Sequence, residues 1–109
     1  PVRCPPRKDS GFRVAGAGVE RLARIQAAYL VGTVDEAPIS IFIFPREARP
    51  LFRDQAVEID SGIRGWQHGG YRLLLREFDQ NLVLVIAQTD SMRLQRVLRA
   101  YGSYPHTHS

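Results

Sequence analysis

Reactive side chains are scarce in this sequence. It holds one Cys, one Trp, one Met and three His in 109 residues, and a single Lys among its 15 basic residues. The lone Cys4 excludes an internal disulfide and any Cys-based zinc finger. It stands among Pro1, Pro5 and Pro6, with only Arg3, Arg7 and Lys8 nearby in sequence, so it reads as an inert thiol. No apolar run approaches the ~20 residues of a membrane span, and no signal-peptide pattern is present. Phosphate-binding G-x-x-x-x-G-K-[ST] and G-x-G-x-x-G signatures are missing; Gly16-Ala17-Gly18 lacks the third glycine. No G-x-S-x-G elbow occurs, and no Ser has a His and a carboxylate at a recognisable offset. These absences predict a domain that is not an enzyme and has no cofactor.

What is present describes one folded unit. A chain of this length suits a single domain, and folding at this size buries roughly two thirds of the unfolded surface. The 44% hydrophobic and 24% charged fractions are those of a globular protein. The net charge is +4, but acidic residues interleave with the arginines and no basic run forms. A nucleic-acid footprint wants charge gathered on one face, so the arginines read first as a solvated surface. Residues 1–10 are Pro-rich and charged and read as a linker or disordered tail; residues 11–104 read as one domain, and 105–109 as a disordered tail.

The pattern predicts an α+β fold: an antiparallel sheet of about five strands, built from two hairpins and packed by a C-terminal helix. Phe12–Leu22 is a bent or bulged strand around Gly16 and Gly18. Ile25–Val34 and Ile39–Pro45 form a hairpin about the turn Asp35–Pro38. Ile39, Ile41 and Ile43 face one way, and Ser40, Phe42 and Phe44 the other, so this strand belongs mid-sheet with both faces covered. Tyr71–Phe78 and Leu82–Thr89 form the second hairpin about Asp79–Asn81. Leu94, Val97, Leu98 and Tyr101 make one helical stripe after the N-cap candidates Thr89, Asp90 and Ser91, ending at Gly102. One stripe covers one sheet face; the other needs an element from Arg46–Ile63, a second copy, or a partner. Arg46–Phe52 reads as a short helical turn, Ala56–Ile59 as an edge strand, and Trp66 as lying in a glycine-flanked loop.

Candidate sites are few. Glu58 and Asp60 share a strand face and read as a solvated edge. His106 and His108 are spaced to share a metal, with His68 as a third ligand, but two of the three sit in the tail. The apolar and aromatic residues Phe42, Phe44, Trp66, His68 and Tyr71 are the candidate interaction surface.

The order of these pieces resembles the extracytoplasmic C-terminal domain of bacterial transmembrane anti-sigma factors. The residues that carry the resemblance are Gly11-Phe12, Ala27–Val31, Ile41–Pro45, Gly70-Tyr71, and Ala87–Asp90 leading into Leu94–Leu98. It spans roughly residues 11–102. The family's zinc-binding His-x-x-x-Cys-x-x-Cys segment and membrane helix are absent from this sequence. The resemblance implies a non-enzymatic sensor or protein-interaction domain on the periplasmic side of a bacterial inner membrane, with anchor and sigma-binding part outside this chain. The uncovered sheet face points to a protein partner or a homodimer, and the scattered charge to no nucleic acid. Two other readings rank below it: a small ligand- or metal-binding module using Trp66 and the histidines, and an arginine-based nucleic-acid-binding domain.

Overall fold

The structure is a computed structural model that describes residues 11–22, 24–52, 57–60 and 62–102. Among the described residues seven strands form one antiparallel sheet: β1 Phe12–Leu22, β2 Ile25–Val34, β3 Ala37–Pro45, β4 Val57–Asp60, β5 Ile63–His68, β6 Tyr71–Glu77 and β7 Asn81–Ala87. Their order is β1-β2-β3-β7-β6-β5-β4. A 3-10 segment, Arg46–Phe52, follows β3, and helix α1, Ser91–Gly102, follows β7. Two sequential meanders therefore meet at the β3–β7 pair, where Ile39 to Pro45 lie opposite Ala87 to Asn81.

The expected five strands become seven because β4 and β5 extend the sheet beyond β6. Trp66 is not in a loop: it lies on β5 opposite Leu73. Gly69 and Gly70 make the two-residue turn into β6 with φ of +58° and +84°, the backbone of a type I′ hairpin. Gly65, buried opposite Leu74, interrupts the side-chain alternation that would otherwise mark β5 as a strand. The expected edge strand appears as β4, starting one residue later. β1 carries the expected bulge, between Val14 and Gly16. β3 begins at Ala37, so its turn shrinks to Asp35 and Glu36, both at positive φ. Pairing with β7 starts only at Ile39, so Pro38 interrupts no ladder on that side.

The alternation of β3 divides the core in two. On one face Ile39, Ile41 and Ile43 join Val83, Val85, Leu74 and Ile63 beneath Leu94, Val97 and Leu98 of α1, all three fully buried. The other face holds Phe44, Leu82, Leu84 and Leu75, covered by Ala48 and Phe52 of the 3-10 segment. Each fully buried aliphatic side chain contributes about 1.5–3 kcal/mol as an upper estimate. The Tyr101 side chain, expected on the α1 stripe, lies outside the described side chains.

Asp90 caps α1. Its Oδ1 accepts the Arg93 backbone N–H at 2.9 Å, satisfying one donor that the first turn leaves without a helical partner. Asp90→Ala is expected to lower the midpoint of a urea titration, with an unchanged m-value.

Candidate functional site

Two places on the described surface gather polar or aromatic groups with some order. The first is the junction between the β2–β3 turn and the start of α1. Asp35 Oδ2 accepts from Arg93 Nε at 3.0 Å and from Arg96 Nη2 at 2.8 Å. Arg93 Nη1 also donates to Asp90 Oδ2 at 2.8 Å and to Thr89 Oγ1 at 3.1 Å. The turn itself is tight: Asp35 has φ of +50° and Glu36 of +68°, a region that Asp tolerates and Glu rarely adopts. The two arginines thus clamp an unfavourable turn onto the helix. These pairs are all at least a third exposed, so solvent screens them and each adds little to stability.

Hydrogen bonds from the Arg96 and then the Arg93 guanidinium hold the Asp35 pKa below its ordinary 3.8. The Arg93 backbone N–H, helped by the Arg93 charge, does the same for Asp90. Both carboxylates have depressed folded values, so the stability they contribute is complete above the ordinary value. It is lost as pH falls from there through the lower folded values. Asp35→Asn keeps a residue suited to the left-handed turn and removes the charge. It is expected to flatten the acid limb of a melting-temperature series below about pH 4; an acid limb as steep as the parent's would count against the clamp. The junction is an ion-pair cluster whose cationic groups are engaged by its own carboxylates, and it presents no acid–base pair or nucleophile.

The second place is the sheet face opposite α1. Register places Trp66, Leu73, Ile86, Ser40, Val31 and Gly16 in one row across the sheet. The neighbouring row, toward the 3-10 segment, runs Arg64, Leu75, Leu84, Phe42, Tyr29 and Gly18. Five rings connect along this face: Tyr29 to Phe42 at 6.1 Å between centroids, Phe42 to Phe44 at 6.3 Å, Phe44 to Phe52 at 5.2 Å, and Phe52 to Trp66 at 6.4 Å. The 3-10 segment covers only one end of the face. Its Arg46 and Arg49 hold Glu77 at 3.0 and 3.3 Å, and Arg46 Nη1 reaches the Asp79 carbonyl at 2.9 Å. Beyond it, Tyr29, Phe42, Trp66, Leu73 and Ile86 remain half-buried, while Val31 is 36% and Tyr71 47% exposed.

The candidate residues Phe42, Trp66, His68 and Tyr71 therefore share one sheet face, that of Phe44. Phe44 itself is a correction: at 2% exposure it packs under Phe52 and is core, not surface. Leu73, Ile86, Tyr29 and Val31 belong to the same surface and were not picked out by the sequence. The alternation that assigns them to this face was legible, but which part of the face the 3-10 segment leaves open was not. His68 is exposed at the end of β5. Among the described residues no group of three His, Cys, Asp or Glu is placed to hold a metal ion. Cys4, His106 and His108 and the side chains of Glu58 and Asp60 lie outside the described part.

No protein-family model matches the chain, and no curated protein matches it in sequence. Two solved structures share its architecture. A GTP binding regulator from Thermotoga maritima superposes with a TM-score of 0.64 at 11% identity, over 84% of this chain and 78% of that one. The crystal structure of MucB in complex with MucA(peri) matches with a TM-score of 0.56 at 19% identity, over 80% of this chain. What they share is the fold. In the second case this chain spans only 30% of the chain it matches.

Proposed function

We propose that this chain is a non-enzymatic regulatory domain that acts by binding a protein partner, and that it is the extracytoplasmic part of an anti-sigma-factor-like membrane protein. The observation that carries the reading is the half-covered sheet face. A helix covers the centre of one side over β6 and β7, whereas the other keeps aromatic and aliphatic side chains open to contact around Ile86 and Leu73. Contiguous exposed apolar surface is a mark of protein–protein contact sites. The order of motifs from Gly11-Phe12 to the last helix supports the anti-sigma assignment, as does the fold shared with a chain of the MucB–MucA(peri) structure. Among the described residues no helix is long and apolar enough to cross a membrane, and in this reading the anchor and the sigma-binding part lie outside the chain.

The test is made in the native host with the whole gene product. Charge placed on the open face by Ile86→Asp is expected to change transcription of one sigma-dependent gene set severalfold, with the protein still present at parental abundance. Protease added to cells with a permeabilised outer envelope should remove this domain while the inner membrane stays sealed. A domain protected until that membrane is broken, or a deletion that leaves every sigma-dependent set unchanged, would overturn the reading.

A further inference from the structure

We infer that the open strip on the sheet face receives one amphipathic helix of a protein partner, apolar along one side and acidic at its margins, and not a second copy of this chain. The inference deepens the protein-binding reading above and rests on it. The strip is bounded. From Trp66 to Val31 it crosses five strands, a length of roughly 19 Å at ~4.8 Å per strand. Its width, from the row of Trp66 to that of Tyr71, is limited on one side by the 3-10 segment, and with side-chain overhang is on the order of 10–15 Å. A helix is about 10 Å across and rises 1.5 Å per residue, so about 13 residues fill the strip.

Area argues against a stable dimer and makes the helix a weak, transient ligand. The strip offers on the order of 300 Å² by these dimensions, whereas a stable pair of proteins buries about 800 Å² on each side. A second copy laid sheet against sheet would also meet the raised 3-10 segment, where Leu51 is 41% exposed. A single helix is not stopped by that wall; it lies along it.

The chemistry of the strip names the partner's side chains. Its floor is Trp66, Leu73, Ile86 and Val31, interrupted only by the Ser40 hydroxyl. Gly16 ends the row at β1, so no side chain closes that end. The two flanks are basic: register places Arg13 beside Thr33 at one end and Arg64 beside Leu75 at the other. Among the described side chains Arg13 has no carboxylate partner, so the acidic margin of the partner matters most at that end.

The probe is a synthetic helix of about 14 residues with Leu at i, i+3, i+4 and i+7 and Glu on both flanks. It is titrated into the chain labelled at its methyl groups. Expected are shifts at Val31, Leu73 and Ile86 and none at Val14 or Val19 on the β1 edge. The same probe with Lys in place of every Glu should bind at least about fivefold more weakly, and Arg13→Glu should erase that difference. Ser40→Glu, mid-strip and facing outward, should weaken binding about tenfold or more while the protein melts as the parent does. If that variant fails to fold, Val31→Glu, at a 36% exposed position, takes its place. The parent should sediment as a monomer throughout. Shifts at the β1 edge, equal affinity for the two probes, binding indifferent to both variants, or a dimer dissolved by Ser40→Glu would each overturn the proposal. The regulatory reading is judged separately in cells, so a helix that binds without any transcriptional effect sinks that reading alone. A transcriptional effect without helix binding sinks this one.

Discussion

Gly32→Ala is expected to cost about 3 kcal/mol and to lower the melting temperature by roughly 15 °C. A Cβ built on Gly32 would lie 2.0 Å from the Arg13 carbonyl oxygen and 2.9 Å from its carbon, with the Phe12 ring at 3.0 Å. The obstruction is backbone, held by β1–β2 pairing beside the bulge, and cannot rotate away. Relief requires the start of β1 to detach, which exposes Phe12 from the core. Two neighbouring glycines supply the controls. At Gly16 the nearest atom is the Val31 Cγ2 at 3.3 Å, and at Gly18 it is the Tyr29 hydroxyl oxygen at 2.6 Å. Both obstructions are side chains at the open face, free to swing outward, so Gly16→Ala and Gly18→Ala should each cost under about 1 kcal/mol. Equal losses at all three positions, read by thermal melting, would show that glycine flexibility and not the close approach at residue 32 matters.

Val85→Asp should leave the chain unfolded at 25 °C, whereas Ile86→Asp should leave it folded. From the sequence both substitutions look fatal, because β7 is apolar on both faces. The structure separates them. Val85 is fully buried between sheet and helix, and a carboxylate there has no partner among the described side chains. Its desolvation costs several kcal/mol against a total stability of about 5–15 kcal/mol. Ile86 is half-buried on the open strip, where a carboxylate stays in contact with water. Far-ultraviolet circular dichroism with a urea titration distinguishes the outcomes. A cooperative transition for Val85→Asp, or none for Ile86→Asp, would mean that the two faces have been assigned the wrong way round.

The parts of the fold that were legible are those where one pattern dominates. The isoleucines of β3 against its phenylalanines, and the stripe Leu94, Val97 and Leu98, declare their faces because burial of one periodic set is the largest local energy. Strand β5 was missed for the converse reason. Gly65, Gln67 and His68 dilute the apolar alternation, and the strand is held by its neighbour β6 more than by its own composition. Gly69-Gly70, a pair suited to positive φ, is the signal that marks it. At the candidate surface, the side of the sheet was readable but the extent was not. Phe44 and Phe42 alternate identically in sequence with respect to the sheet, and only the placement of Phe52 buries the first and leaves the second half-open. The Asp35–Arg93–Arg96 cluster joins residues 58 and 61 positions apart, and nothing local in the sequence announces such a contact.

The meeting of β3 with β7 gives the molecule a seam. Every other described strand pair joins sequence neighbours across a short turn, whereas this one pairs residues 36 to 48 positions apart. Hairpins close in microseconds and distant pairings form later, so two half-sheets should assemble first and zip together along Ile41 and Val85. When the protein is pulled apart or clipped, the same line is where it should part. The 3-10 segment then acts as a hinge pin, because it follows β3 directly and is tethered to the end of β6 through Glu77.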